Sequence, residues 1–179
     1  MKKIALALSA LAALSVANAE SISVLGLPLG GKLAHQVKQC PDDYKKRTSL
    51  CWLGKAFRSS DGAMTGTVSV PDKNLPKWVA YQLPNIVINP QGQLSSIRYL
   101  TSGSLWRDRK EIVAGIAQRF GPAEEVTHRG VYTATWTPSK HLIQLGCINN
   151  ACYLDMLTME EVEAAENRRK QELQRPSTL

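Results

Sequence analysis

The cysteines are the residues of this chain whose type and spacing could most directly support chemistry. Four of them, Cys40, Cys51, Cys147 and Cys152, occur in a chain of 179 residues. A thiol oxidoreductase would need a Cys-x-x-Cys pair, and a structural zinc site would need closely spaced cysteine and histidine residues. Neither spacing is present. We therefore predict that the four cysteines form two structural disulfides, because an even number of cysteines usually pairs in an oxidising compartment.

Four cysteines allow three disulfide pairings, and the sequence between Cys147 and Cys152 favours one of them. Asn149-Asn150 suits a two-residue hairpin turn, because asparagine tolerates the positive φ that such a turn requires. The turn would place the two cysteines opposite each other at a site without backbone hydrogen bonds, where antiparallel strands approach most closely. We expect a Cys147–Cys152 disulfide, and the remaining pair, Cys40–Cys51, would close a polar loop.

The sequence contains no pattern that would indicate catalysis or metal binding. His35, His128 and His141 are far apart, and none lies in a metal-ligand motif. There is no nucleophile motif and no phosphate-binding glycine loop, and the adjacent acids Glu124-Glu125 and Asp42-Asp43 are typical of turns or surfaces. We expect a non-catalytic protein with no metal and no cofactor. The alternative is an envelope enzyme whose catalytic residues converge only in space.

The tryptophans are candidates for contact residues of a binding surface. Trp136 alternates with threonines in a predicted strand, which is typical of a core residue. Trp52 lies at the end of a loop that contains Lys45, Lys46 and Arg47. An exposed indole beside positive charge on a disulfide-closed loop would suit protein recognition. We therefore predict that Trp52 and these three basic residues contact a partner.

The N-terminus has the pattern of a signal peptide. Met1-Lys2-Lys3 is a short cationic region, residues 4–16 are apolar but too few to span a bilayer, and Ala17-Asn18-Ala19 is the small-residue pattern that signal peptidases cleave. We predict cleavage after Ala19 and a periplasmic or secreted mature protein. No later stretch is long and apolar enough for a transmembrane segment.

The charge of the chain bears on the class of partner. The formal net charge is +7 at pH 7, and loss of Lys2 and Lys3 with the signal peptide leaves the mature protein basic. Outside the inner membrane, a basic surface suits an acidic envelope or secreted protein more readily than nucleic acid. We expect a protein partner and no nucleic acid. Binding of lipopolysaccharide or cell wall is a further alternative, which an exposed Trp52 would favour.

The first half of the mature chain gives weak signals for regular structure. Residues 21–26 alternate enough for a strand, and the proline and glycines in residues 27–31 would break it. Leu33 and Val37 lie four residues apart, on one face of a short helix. The polar segment 41–76 predicts a loop with one or two brief strands.

The second half gives clearer signals. Residues 86–88 and 94–100 flank an Asn-Pro-Gln-Gly turn and predict a hairpin. A helix with apolar residues at helical spacing follows and ends at Gly121-Pro122. Three strands then form a meander within residues 131–157. A polar helix begins at Thr158, where the sequence has the spacing of a capping box.

These signals predict an α+β fold. An antiparallel sheet, made of the hairpin and the three-strand meander, would pack on one or two helices, with two disulfides and a polar C-terminal helix. Residues 1–19 are the predicted signal peptide, 20–157 the α+β domain, and 158–179 the C-terminal helix and tail. The domain is either a single unit or two small repeats, at about 20–80 and 81–157.

The order of a strand, a helix ending in Arg119-Phe120-Gly121-x-Ala, and a meander carrying Trp136 resembles small periplasmic α+β domains. The similarity is to the SmpA/OmlA outer-membrane-assembly lipoproteins and to the β-lactamase-inhibitor protein family, which pairs two such units. Residues 25–37 would be the degenerate start of a first unit and 96–157 the second. This sequence lacks the lipid-bearing cysteine of the lipoproteins, which puts an outer-membrane anchor in doubt.

The resemblance implies a binding module that works through one face of its sheet, and it transfers no catalytic residues. Together with the missing catalytic motifs, it leads us to expect a periplasmic or secreted protein-binding module. Such a module would be an inhibitor, an immunity-type protein or an accessory factor of envelope assembly.

Overall fold

An antiparallel sheet with two helices makes up the α+β fold, as the sequence predicts. The computed structural model describes residues 22–33, 37–71, 83–101, 106–148 and 151–174. Within these ranges the helices are α1 (Trp106–Phe120) and α2 (Met159–Gln174), and a 3₁₀ helix covers Tyr44–Lys46. The strands are β1 (Ile22–Val24), β2 (Leu27–Leu29), β3 (Lys38–Gln39), β4 (Cys51–Arg58), β5 (Met64–Ser69), β6 (Asn85–Ile88), β7 (Leu94–Thr101), β8 (Glu124–His128), β9 (Val131–Trp136), β10 (His141–Ile148) and β11 (Ala151–Thr158).

Nine strands of the described part of the chain form one sheet, in the order β3-β4-β5-β6-β7-β11-β10-β9-β8. The chain first builds the meander β4 to β7 and later the meander β8 to β11. The two meanders join through their last strands, because β7 pairs with β11 in antiparallel orientation. β3 lies parallel to β4 at one edge, and β8 forms the other edge. The sheet is therefore continuous across both halves of the chain.

One face of this sheet is covered by α1 and by the separate hairpin of β1 and β2. The indole N–H of Trp136 donates to the carbonyl of Gly121, directly after α1, at 3.0 Å. The hydroxyl of Tyr99 donates to the carbonyl of Leu25, between β1 and β2, at 3.5 Å. Burial of each large apolar side chain stabilises the fold by about 1.5–3 kcal/mol. The core between these layers includes Leu29, Ile97, Ile112, Leu145, Leu154 and Met156.

The structure confirms four predicted elements: the hairpin of β6 and β7, the helix α1, the meander of β9 to β11 and the C-terminal helix α2. β6 and β7 are joined by a turn in which Gly92 has a φ of 81°, the left-handed conformation that such turns require. The N–H of Gly121 donates to the carbonyl of Ala117 at 2.9 Å, where α1 ends. At the start of α2, the N–H of Glu161 donates to the hydroxyl of Thr158 at 3.3 Å, as at a helix N-cap.

Both predicted disulfides are present, Cys40–Cys51 and Cys147–Cys152. β10 and β11 pair in the predicted register, with Cys147 opposite Cys152. The Cα atoms of this pair are 4.1 Å apart, which is the close approach expected where strands exchange no backbone hydrogen bonds. Two disulfides are typical of a protein that folds in an oxidising compartment.

Two parts of the first half differ from expectation. Residues 27–29 were expected to break a strand but form β2, because Leu27 and Leu29 are both buried in the core and Pro28 lies in a two-stranded hairpin that tolerates it. The segment 41–76 was expected to be a loop with one or two brief strands, and it contains two strands, β4 of eight residues and β5 of six, which are longer than expected. A bulge between Leu53 and Phe57 interrupts the alternation that would have indicated β4.

The acids Glu124 and Glu125 lie in strand β8 and not in a turn, although their predicted surface location is correct. All five residues of β8 are exposed. A strand that is exposed on both faces has no alternation of apolar and polar residues, so its sequence does not distinguish it from a loop.

Three predictions fall on residues that the structure does not describe. These are the signal peptide 1–19, the body of the short helix after Leu33, and the tail 175–179. No helix in the described ranges is long and apolar enough to cross a membrane. The division of the domain into two small repeats stays a prediction.

Candidate functional site

The candidate site lies on the sheet face opposite α1. In an antiparallel sheet, residues that pair across strands point to the same face. One line of such pairs crosses the five strands β7, β11, β10, β9 and β8, and we call it the apolar row. On β7, β11, β10 and β9, the residues directly before and after each member of the row are buried, so the apolar row points away from the core. Its members are Leu100, Tyr153, Gly146, Thr133 and Val126.

The apolar row is exposed to solvent. Leu100 is 39%, Tyr153 45% and Val126 53% exposed, and Ile148, two residues along β10 from Gly146, is 56% exposed. Single exposed apolar residues are ordinary on a protein surface, whereas neighbouring ones on one face indicate an interaction site. These four side chains therefore make this face the strongest candidate for a binding surface.

A second line of cross-strand pairs runs parallel to the apolar row, two residues away on each strand, and we call it the polar row. At its centre the guanidinium of Arg98 makes two hydrogen bonds with the carboxylate of Asp155, Nε to Oδ1 at 2.5 Å and Nη2 to Oδ2 at 3.0 Å. These bonds raise the pKa of Arg98 above its usual range, so its guanidinium stays charged at neutral pH. The members are Asn85, Arg98, Asp155, Gln144, Thr135 and Glu124.

The two rows together form what we call the open face. Gly146, which has no side chain, leaves a shallow depression in this face. A Cβ atom built on Gly146 would meet no other atom within 4 Å. Gly146 lies between Tyr153 and Thr133, so the space above it is flanked by an aromatic ring and a hydroxyl-bearing side chain. A side chain could therefore be added at Gly146 without a clash inside the protein, and it would project from the open face.

A groove of about 330 Å³ borders the open face beside α2. Thr65 and Val87, which pair with each other, line one side of it. Val87 also pairs with Ser96, which lies two residues before Arg98 on β7, so both residues belong to the same sheet face as the polar row. Ala164 of α2 lines the opposite side. The helix therefore limits the open face at this end.

α2 is fixed to the sheet through Glu161. Its carboxylate, in a side chain only 11% exposed, accepts hydrogen bonds from the hydroxyl of Ser95 at 3.0 Å and from Arg168 at 2.6 Å. The nearby hydroxyl of Ser59 and the backbone N–H of Ala63 bond to the Asp61 carboxylate and lower its pKa. Of these hydrogen bonds, the one between Ser95 and Glu161 joins α2 to the sheet, and those of Asp61 stay within the turn between β4 and β5.

Trp52, predicted to be an exposed contact residue, is buried. It is only 6% exposed and pairs with Val68 on the core side of β5. Its ring lies over Gly66, where an added Cβ atom would be 3.1 Å from Trp52 Cζ3. The absence of a side chain at Gly66 thus makes room for the indole. The premise of an exposed indole was wrong, and Trp52 is a core residue.

The predicted basic contact residues Lys45, Lys46 and Arg47 lie in the loop that the Cys40–Cys51 disulfide closes. Lys45 and Lys46 are exposed and Arg47 is half-buried. Lys46 lies 3.8 Å from the Asp43 carboxylate, and Arg47 Nε donates to the carbonyl of Pro41 at 3.3 Å. None of the three is on the open face, and their role in binding stays a prediction.

An exposed aromatic beside positive charge does occur, five residues after Trp52. Phe57 on β4 is 70% exposed, and its neighbours Lys55 and Arg58 are exposed as well. A bulge between Leu53 and Phe57 shifts the register of β4, and Phe57 then pairs with Thr65 of β5. Sequence reasoning missed Phe57 because the bulge cannot be read from residue alternation.

The two histidines that the structure describes, His128 and His141, lie on different strands that do not pair with each other. His141 is buried at 3% exposure beside the start of α2, His128 is exposed at the end of β8, and His35 lies outside the described residues. Across the ranges that the structure describes, no group of three or more histidine, cysteine, aspartate or glutamate side chains is placed to hold a metal ion.

Comparison of the chain with protein-family models, with curated proteins and with solved structures finds no match. The resemblance to small periplasmic binding domains therefore stays a prediction, and the open face is the feature from which a function can be argued.

Proposed function

We propose that this protein is a periplasmic or secreted, non-catalytic module that binds another protein on its open face. The observation that carries the proposal is the apolar row, which keeps Leu100, Tyr153 and Val126 exposed on one face. On β7, β11, β10 and β9, folding has buried the alternate residues, so the exposure of this face is not a consequence of a weak core.

The dimensions of the open face suit a protein partner. Five strands spaced by about 4.8 Å give the apolar row a width of about 19 Å. A small molecule is usually held in a concave pocket, whereas a protein interface buries about 800 Å² on each partner and is close to flat. The face combines a tyrosine and an arginine, residue types that are enriched in the energetic centres of interfaces.

The polar row gives this interface its specificity. Arg98 and Asp155 already satisfy each other, so a partner that covers the pair must hydrogen-bond to its remaining lone pairs and N–H groups to offset the cost of desolvation. Steering of an acidic partner comes from the net positive charge of the whole chain. Two disulfides and the signal-peptide pattern support a location outside the cytoplasm.

A second candidate function is binding to an anionic envelope surface through Phe57. An exposed phenyl ring between Lys55 and Arg58 has the combination of apolar and cationic groups that favours anionic lipid or lipopolysaccharide. Phe57 pairs with Thr65 and belongs to neither the apolar row nor the polar row, so the two candidates use separable residues.

The test is capture of neighbours from intact envelopes by tagged mature protein, with Gly146→Arg as the disrupting variant. The arginine fits the free protein, because the Gly146 position opens to solvent, but it would occupy the space of a partner. We expect the captured amount of the main partner to fall at least about tenfold.

The matched control is Ala114→Arg, which adds the same side chain to an exposed position of α1, on the other side of the sheet. We expect this variant to capture as much partner as the wild type. Equal capture by the Gly146→Arg variant would contradict the proposal. Capture of lipid or lipopolysaccharide alone, lost in Phe57→Ala, would favour the second candidate.

A further inference from the structure

Strand β8 ends the sheet with an uncovered edge. All five of its residues, Glu124–His128, are exposed, and no strand among the described residues pairs with its outer side. The opposite edge strand, β3, has only two residues, one of them Lys38. Short edge strands and lysines are features that prevent edge-to-edge pairing. β8 has neither lysine nor proline and no bulge in its pairing with β9. The two edges therefore differ in their capacity to accept a further strand.

The backbone groups on the outer side of β8 can be identified from its turn. Arg129 and Gly130 have φ values of 49° and 79°, the pattern of a two-residue type I′ hairpin turn. In such a hairpin His128 and Val131, which flank the turn, exchange hydrogen bonds. By alternation, the N–H and C=O groups of Glu125 and Thr127 point outward. β8 thus offers two outward donors and two outward acceptors in regular spacing.

The charges along β8 favour one orientation of an added strand. Two carboxylates, on Glu124 and Glu125, lie at its beginning, whereas His128 and then Arg129 lie at its end. A parallel copy of β8 would place like charges together. An antiparallel copy would place the acidic beginning of one strand against the basic end of the other, which is favourable. A second copy of this chain is therefore a complementary partner for the edge.

We propose that two copies of this protein pair through β8 in antiparallel orientation, centred on Val126. In this register the two Val126 residues face each other, Glu125 of each copy exchanges hydrogen bonds with Thr127 of the other, and Glu124 lies opposite His128. Only registers that match outward backbone groups are allowed, and this one also pairs the charges. The arrangement is a two-fold symmetric dimer, the commonest form of homo-oligomer.

The dimer would extend the open face. A two-fold axis perpendicular to the sheet places both open faces on the same side, and the apolar row then runs through the paired Val126 residues into the second copy. A single edge strand buries less surface than a standard interface, so the pairing belongs to the weak, reversible class. This inference does not depend on the identity of a partner for the open face.

The first test is sedimentation equilibrium of the mature full-length protein, at concentrations from about 1 µM to about 1 mM, where small interfaces dissociate. Thr127→Pro removes an outward N–H from each copy without touching the hydrogen bonds to β9. We expect it to raise the dimer dissociation constant at least about tenfold. Thr127→Val keeps the N–H and is the matched control, which should dimerise like the wild type.

The second test is a charge exchange across the register. His128→Glu should weaken the dimer, because it places two carboxylates opposite each other, and Glu124→Lys should weaken it, because it removes the carboxylate that lies opposite His128. The double variant places opposite charges at both symmetric sites and should recover the wild-type dissociation constant. A monomeric wild type over the whole range would overturn the proposal, as would equal dimerisation of the Thr127→Pro and Thr127→Val variants. No loss in either single charge variant would overturn the register.

Discussion

Replacement of Trp52 by alanine is expected to lower the free energy of unfolding by about 3–5 kcal/mol, the cost of removing a buried large aromatic side chain. The indole is 6% exposed and lies directly over Gly66, so its removal leaves a cavity between β4 and β5 that backbone atoms cannot fill. Urea unfolding followed by the fluorescence of the remaining tryptophans would measure the change.

The matched control is Phe57→Ala on the same strand. Phe57 is 70% exposed, so its removal should change the free energy of unfolding by no more than about 0.5 kcal/mol. If the two variants were equally stable, the placement of Trp52 in the core would be wrong. A Trp52→Ala protein that folds normally but loses a partner would instead support the contact role that the sequence predicts.

Removal of the Cys40–Cys51 disulfide by the double substitution Cys40→Ala and Cys51→Ala should lower the free energy of unfolding by about 2–4 kcal/mol. The bridge closes a loop of sequence separation 11 whose residues 41–49 are mostly exposed and contribute little burial of their own. Cys40 directly follows β3 and Cys51 begins β4, so the bridge joins these two strands. The hydrogen bonds that the Cys40 N–H and the Gln39 side chain donate to the carbonyl of Trp52 act in addition.

The comparison for this prediction is Cys147→Ala with Cys152→Ala, which opens a loop of separation 5. Loop-closure entropy predicts a smaller loss for the shorter loop. The β10–β11 ladder, with pairs from His141–Thr158 to Ile148–Ala151, holds this hairpin without the bridge. An unchanged urea midpoint in the Cys40/Cys51 variant would contradict the prediction.

The elements that could be predicted from the sequence are those with local signals. The Asn-Pro-Gln-Gly turn, Gly121-Pro122 after α1, and Thr158 before α2 each determine the backbone within a few residues. The same holds for the Cys147–Cys152 disulfide, because a two-residue turn determines which residues lie opposite each other. Such signals require no knowledge of the rest of the fold.

The elements that were missed, such as β8, or predicted too short, such as β4, lack the periodic pattern that prediction uses. β8 is exposed on both faces, and β4 is interrupted by a bulge after Leu53, so neither alternates. The burial of Trp52 depends on Val68 and Gly66, which reach it only after β4 and β5 pair. A tryptophan beside a basic loop therefore gives no sequence signal that separates a core position from a surface one.

The open face could not be predicted from the sequence either. Alternation in β11 shows that Tyr153 and Asp155 share a face, but not whether another layer covers that face. The face is assembled from pairs such as Tyr153 with Leu100, which are far apart in the chain. Its extent depends on the joining of two meanders through β7 and β11, a tertiary event without a local signal.

The most direct test of the open face is site-specific photocrosslinking in intact cells. A photoreactive amino acid would replace Tyr153 on the open face and, as the matched position, Ala114 on α1, and crosslinked proteins would be identified by mass spectrometry. We predict one dominant protein adduct from position 153 and none from position 114. The same adducts from both positions, or no protein adduct from position 153, would contradict the assignment of the open face as the binding surface.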